Sequence, residues 1–118
     1  MLLKSKAKNK KLGDLGENFA VKFLKKKKYK IIERNFWKPW GELDIVAVAP
    51  DKSLVVVEVK TMREYSGDGL KPEDHLTGAK LKKLQRTASL YAGHRQDLAR
   101  DEIGWRIDLV AIVMDDNN

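Results

Sequence analysis

Apolar positions along this 118-residue chain fall first at helical spacing, then at strand spacing, then at helical spacing again, and close in a last extended run. From Leu12 the residues Leu15, Phe19 and Phe23 recur at three and four, with Ala20 and Leu24 widening the stripe. That period predicts an amphipathic helix from about residue 12 into the lysine run 25–28. Asp14 and Glu17 have the spacing of a capping box, although the helix could equally begin a turn earlier, and on spacing alone Glu17 reads as a capping carboxylate. It also borders the stripe, where it could look into a site under the helix. Residues 29–35 read as a short strand. Residues 36–40 (Phe-Trp-Lys-Pro-Trp) read as a connection, because Pro39 has no place in a central strand. Trp37 and Trp40 are expected to cover a core edge, with stacking on a splayed base as the functional alternative.

Residues 41–60 carry the strongest local signal. Two β-branched apolar runs flank Pro50-Asp51, which predicts a hairpin. Asp44 stands on the first run and Glu58 and Lys60 on the second, where a plain core strand should carry no charge. Alternation puts Glu58 and Lys60 on one face, with Val57 and Val59 on the other. Asp44 joins them only if residue 49 pairs with 53, leaving 50–52 as a three-residue loop. It then faces Glu58 with Cβ atoms about 4.5–5.5 Å apart. A one-residue slip would send Asp44 to the opposite face.

Residues 62–76 are polar and broken by Gly67, Gly69 and Pro72, a loop from which Arg63, Tyr65 and Lys71 could reach a ligand. Thr77 reads as the N-cap of a second helix with a Leu81, Leu84, Ala88, Tyr91 stripe that stops near Gly93. Residues 94–104 connect to a last strand, 105–114, where Arg106 and Asp108 share a face. His75 and His94 read as surface or loop residues.

Composition narrows the class. The length suits one core, and the absence of cysteine excludes disulfides and thiolate metal clusters. No secretory signal or membrane-length apolar run is visible, which makes a soluble cytoplasmic protein the expectation. Net charge is +7, and residues 1–28 alone hold +8, with ten lysines against Asp14 and Glu17. Residues 1–11 read as a basic flexible arm and 12–118 as a single domain. Such an arm suits a polyanion through counterion release. Lys25 and Lys26 fit either helix-dipole compensation or phosphate contact, and Lys80 and Lys83 either a solvated helix face or phosphate contact.

The acidic pair has a definite chemistry. Two adjacent carboxylates repel each other unless a cation lies between them. A divalent ion, Mg²⁺ or Mn²⁺, would be held by Asp44, Glu58 and the Val59 backbone carbonyl, and would activate water for phosphodiester hydrolysis. Lys60 would orient that water or stabilise the charged phosphorane. Glu17 could reach the ion, directly or through water, if the first helix packs across the sheet. Glu42 is a weaker candidate.

In order, Gly13-x-x-Gly16-Glu17, Arg34-Asn35, Gly41-Glu42-Leu43-Asp44, Val57-Glu58-Val59-Lys60-Thr61, Lys80-x-x-x-Leu84 and Arg106-Ile107-Asp108 resemble the YraN-like predicted endonuclease family. That family belongs to the PD-(D/E)xK nuclease superfamily and is similar to the archaeal Holliday junction resolvases. The resemblance spans residues 12–114. Leu43 stands where the namesake motif has proline. The resemblance implies an α/β, restriction-endonuclease-like fold: a helix, a three-stranded antiparallel meander, a second helix and a fourth strand, in a mixed central sheet flanked by helices. It also implies Glu17, Asp44, Glu58 and Lys60 as active-site positions and an endonuclease acting on DNA, with branched or damaged DNA as candidate substrates. A homodimer would suit cutting of both strands. The alternatives are a non-catalytic nucleic-acid-binding module on the same fold and a protein-interaction role through the last strand.

Overall fold

The computed structural model describes residues 8–63 and 76–114. Residues 1–7 of the expected arm, most of the expected loop with Tyr65, Lys71 and His75, and the polar tail lie outside the described residues. The elements run α1 (Lys8–Lys26), β1 (Lys30–Lys38), β2 (Gly41–Val48), β3 (Leu54–Arg63), α2 (Gly78–His94) and β4 (Trp105–Met114). The four strands form one sheet in the order β1-β2-β3-β4. The first two pairings are antiparallel and β3–β4 is parallel. This is the mixed, helix-flanked sheet that the resemblance implies, and it is compatible with a restriction-endonuclease-like architecture.

The β2–β3 turn sets the register of the sheet. Pro50-Asp51-Lys52 is the loop, with Lys52 N–H donating to the Ala49 carbonyl at 2.8 Å and Ala49 N–H to the Ser53 carbonyl at 2.9 Å. Lys52 takes a left-handed φ of 77°, the residue type-I-plus-bulge hairpins place last. Asp51 Oδ1 accepts from Ser53 N–H at 2.9 Å and closes the turn. The ladder that follows pairs Val48 with Leu54 and Ile45 with Val57, the register that sets Asp44 against Glu58. Arg106 fastens β4 to this end of the sheet. Its guanidinium donates to Ser53 Oγ at 2.6 Å and to the Tyr29 hydroxyl at 3.3 Å, and pairs with Asp108 at 3.2 Å.

Among the described residues each face of the sheet carries one helix. Leu54, Val55, Val56 and Val57 are all fully buried, as befits a central strand covered on both sides. Ala20, Val21 and Leu24 of α1 pack on Ile45, Ala47, Val55 and Val57. Leu84, Ala88 and Tyr91 of α2 pack on Leu43, Val46, Leu54 and Val56.

Several sequence expectations shift. α1 begins at Lys8, the earlier of the two starts the pattern allows, so Asp14 and Glu17 fall inside it and form no capping box. Its buried face is Gly16, Glu17, Ala20 and Val21, leaving Phe19 and Phe23 half exposed. The small residues decide this rotation: a Cβ on Gly16 would lie 1.8 Å from Thr61 Oγ1, so only glycine lets the helix sit this close to β3. β1 runs on through Phe36, Trp37 and Lys38, because Pro39 falls in the two-residue turn after Lys38 and interrupts no ladder. Thr77 caps α2 as expected, accepting from Lys80 N–H at 3.3 Å, and the helix continues through Gly93 to His94.

Gly16→Ala should therefore destabilise the protein by about 1–3 kcal/mol through overpacking. The gain of about 1 kcal/mol in helix propensity works against that loss without cancelling it. Denaturant unfolding checks it, and adding Thr61→Ala should recover most of the loss.

Candidate active site

The alternation that buries β3 on both faces also aims its charges. Leu54 and Val56 face α2, so Glu58 and Lys60 follow on that side, and Val57 and Val59 face α1. Glu58 and Lys60 line a cleft of about 450 Å³ between the sheet and α2. Its far wall is Lys80, Lys83, Leu84 and Thr87 of α2, and its near rim is Trp37, Lys38 and Pro39 from the β1–β2 turn. Gly41 allows α2 to come down against β2, since a Cβ there would meet Thr87 Oγ1 at 2.0 Å.

Asp44 sits where the β2–β3 ladder ends. The backbone pairing stops at Ile45–Val57, and one step beyond it the Asp44 carboxylate accepts the Val59 N–H at 2.8 Å. A side chain has replaced a strand carbonyl as the acceptor, and that fixes the carboxylate beside Glu58. The adjoining strand is distorted at the same level. Arg34 reaches toward α1 while Phe36, two residues on, stacks edge-to-face on Tyr91 of α2. Between them Asn35 has a left-handed φ of 55°. Leu43 and Val46 consequently share the α2 layer, so simple alternation fails through Asp44.

The electrostatics follow from this crowding. Burial, then the charge of Asp44 and a hydrogen bond with it, push the Glu58 carboxyl up to about 8, with Glu42 adding to the rise and Lys60 opposing it. Glu58 therefore keeps its proton near neutrality while no cation is at hand. Hard oxygen donors from Asp44 and Glu58, with the Val59 carbonyl, suit Mg²⁺ or Mn²⁺, ions that use one or two carboxylates and take the remaining ligands from water and substrate phosphate. Among the described residues no three acidic, histidine or cysteine side chains converge on one point. The donor set thus fits such an open site and not a closed structural cage.

Glu17 does not join the pair. It is 8% exposed in the α1 layer, ion-paired to Arg34 Nε at 3.0 Å, while Arg34 Nη2 donates to Asn18 at 2.7 Å. Lys25 and Lys26 are exposed at the end of α1, away from the cleft lining, whereas Lys80 and Lys83 line it. Arg63 ends β3, and its side chain lies outside the described residues. Trp37 and Trp40, expected over a core edge, are 66% and 45% exposed. Sequence reasoning also missed Lys38 as a lining residue. Its signal was the Pro39-Trp40 turn, which returns β1 to the cleft.

The pH dependence has a definite sign. Glu58 has its pKa raised from an ordinary 4.5 to about 8, so the folded state holds a proton that the unfolded chain releases. Without divalent metal, stability should fall as pH rises from about 4.5 to about 8 and level off above. Thermal unfolding across that range checks it, and Glu58→Gln should flatten the slope.

Similarity to other proteins covers nearly the whole chain. The profile of Uncharacterised protein family UPF0102 matches residues 16–112. A UPF0102 protein of Syntrophomonas wolfei is 45% identical over 83 residues, 70% of this chain and 70% of its own length. One from Geotalea uraniireducens is 38% identical over 118 residues, 99% of this chain and 87% of its own. One from Corynebacterium efficiens is 36% identical over 112 residues, 93% and 84%.

Proposed function

We propose that this chain, which belongs to Uncharacterised protein family UPF0102, is a Mg²⁺- or Mn²⁺-dependent endonuclease that hydrolyses phosphodiester bonds in DNA. The observation that carries the reading is the paired carboxylates of Asp44 and Glu58, held together where the β2–β3 ladder opens, with Lys60 beside them in a lysine-walled cleft. A structural ion pair does not account for two acids pressed together, because without a cation Glu58 must hold a proton to escape their repulsion.

Asp44, Glu58 and the Val59 carbonyl would hold the ion. When bound, it supplies Lewis acidity at the scissile phosphate and lowers the pKa of water. The chain's own residues do the rest. The Val59 N–H fixes the rotation of the Asp44 carboxylate. The Lys60 ammonium orients the attacking water and balances the negative charge that grows on the phosphorus oxygens. Lys80 and Lys83 hold flanking phosphates against α2 and set the strand's direction across the cleft. Glu17 serves in this account as the buried partner of Arg34, tying α1 to β1.

A second reading, a nucleic-acid-binding module without catalysis, draws on the exposed Trp37, on the lysine wall, and on Glu17 being engaged by Arg34. Cleavage separates the two. With Mg²⁺ or Mn²⁺ the native chain should nick DNA in a chelator-sensitive way. Asp44→Asn and Lys60→Ala should each lose at least about 100-fold of that rate, the order expected of a group acting on transition-state charge, while far-UV circular dichroism stays unchanged. A chain that binds DNA and never cuts it, across linear, nicked and branched substrates and both metals, would establish the second reading.

A further inference from the structure

Among the residues lining the cleft that the chemistry above leaves unused is Trp37. A tryptophan is a large apolar surface, and burying one contributes strongly to stability. Here two-thirds of it stays in water at the end of β1. It packs no core, yet it lines the same cavity as Glu58 and Lys60. Lys38 stands next to it on the rim, and Lys80 and Lys83 face it from α2. The cavity therefore brings an exposed indole, several lysines and the Glu58 carboxyl to one lining, with Asp44 adjoining Glu58.

This combination selects a ligand. A strand that carries both phosphates and flat π-surfaces satisfies it, and base–aromatic stacking is the way single-strand binders use such residues. In a duplex the bases are already stacked and paired, so Trp37 would meet only backbone. A volume of about 450 Å³ falls in the usual small-ligand range of about 300–1,000 Å³, room for one nucleotide unit. Trp40 is the natural contrast. It lines an adjoining cavity with Tyr91, His94 and Arg95, which shares Lys38 and Thr87 with the first but not Glu58 or Lys60.

We propose that the cleft takes an unpaired nucleotide, its base stacked on Trp37 and its flanking phosphates on Lys38, Lys80 and Lys83, so that the protein prefers strands that are not base-paired. The inference rests on the nuclease reading for the place of the reacting phosphate, and its test reads binding first, with cleavage read separately.

Fluorescence anisotropy of the full chain with chelator present, at low salt, should show labelled oligothymidylate bound at least about 10-fold tighter than a duplex of equal length. Trp37→Leu should weaken the single-strand affinity by about 5- to 100-fold, the measured scale of one stacking contact, with little change for the duplex. Trp37→Phe should keep most of the affinity, and Trp40→Leu should keep all of it. Lys83→Ala should weaken both probes and reduce the salt slope by about one. Equal affinity for the two probes, no binding of either, or a Trp37→Leu chain that binds like the native one overturns the proposal. A Trp37-dependent preference in a chain that cuts nothing leaves it standing and removes the nuclease reading. Cleavage that ignores Trp37 does the reverse.

Discussion

The register of one antiparallel pair decides where every charged group of the candidate site stands. Val48 against Leu54 and Ile45 against Val57 bring Asp44 to the level of Glu58, and the three-residue loop at 50–52 counts the residues off. A slip by one would turn Val55, Val56 and Val57 inside out. All three are fully buried, and each such side chain contributes about 1.5–3 kcal/mol by leaving water. The core thus enforces the register far more strongly than the acids oppose it. That asymmetry lets the fold hold two carboxylates together in a partly buried place and raise the proton affinity of Glu58.

The site then depends on how the ladder ends. At Asp44 the backbone stops pairing and the carboxylate takes over the Val59 N–H. An open end of this kind leaves room beside the sheet, and α2 supplies the opposite wall. Gly41 allows α2 its close approach on one face, and Gly16 allows α1 the same on the other. Arg106 locks the far end of the strands through Ser53, Tyr29 and Asp108. The β2–β3 pair is therefore fixed at the turn end and parted at the site end.

Much of this is legible in the sequence. Val-Val-Val between Leu54 and Glu58 announces a strand buried on both faces, and charge parity with the Pro50-Asp51 turn yields the register. Thr77 announces its helix, and Arg106 with Asp108 announces a shared face. Where periodicity misleads, a glycine or a twist is responsible. Phe19 and Phe23 resemble the helix stripe when apolarity is weighed above size, yet Gly16 and Ala20 decide which side approaches the sheet. Glu17 has the spacing of a cap and the resemblance of a site residue. Its partner Arg34 is 17 positions away, a distance that only the tertiary fold reveals. The left-handed turn at Asn35 breaks alternation through Asp44, and no local pattern foretells it. Trp37 reads as core because aromatics usually are, and its exposure depends on where Pro39 ends β1.

The proposed chemistry requires Asp44 and Glu58 to share a divalent ion. Calorimetric titration of the full chain with Mn²⁺ at neutral pH, in the absence of nucleic acid, tests that claim most directly. It predicts saturable binding of one ion per chain, abolished in Asp44→Asn while thermal unfolding remains cooperative. Titration heats that match dilution alone, or binding that Asp44→Asn leaves intact, would contradict it.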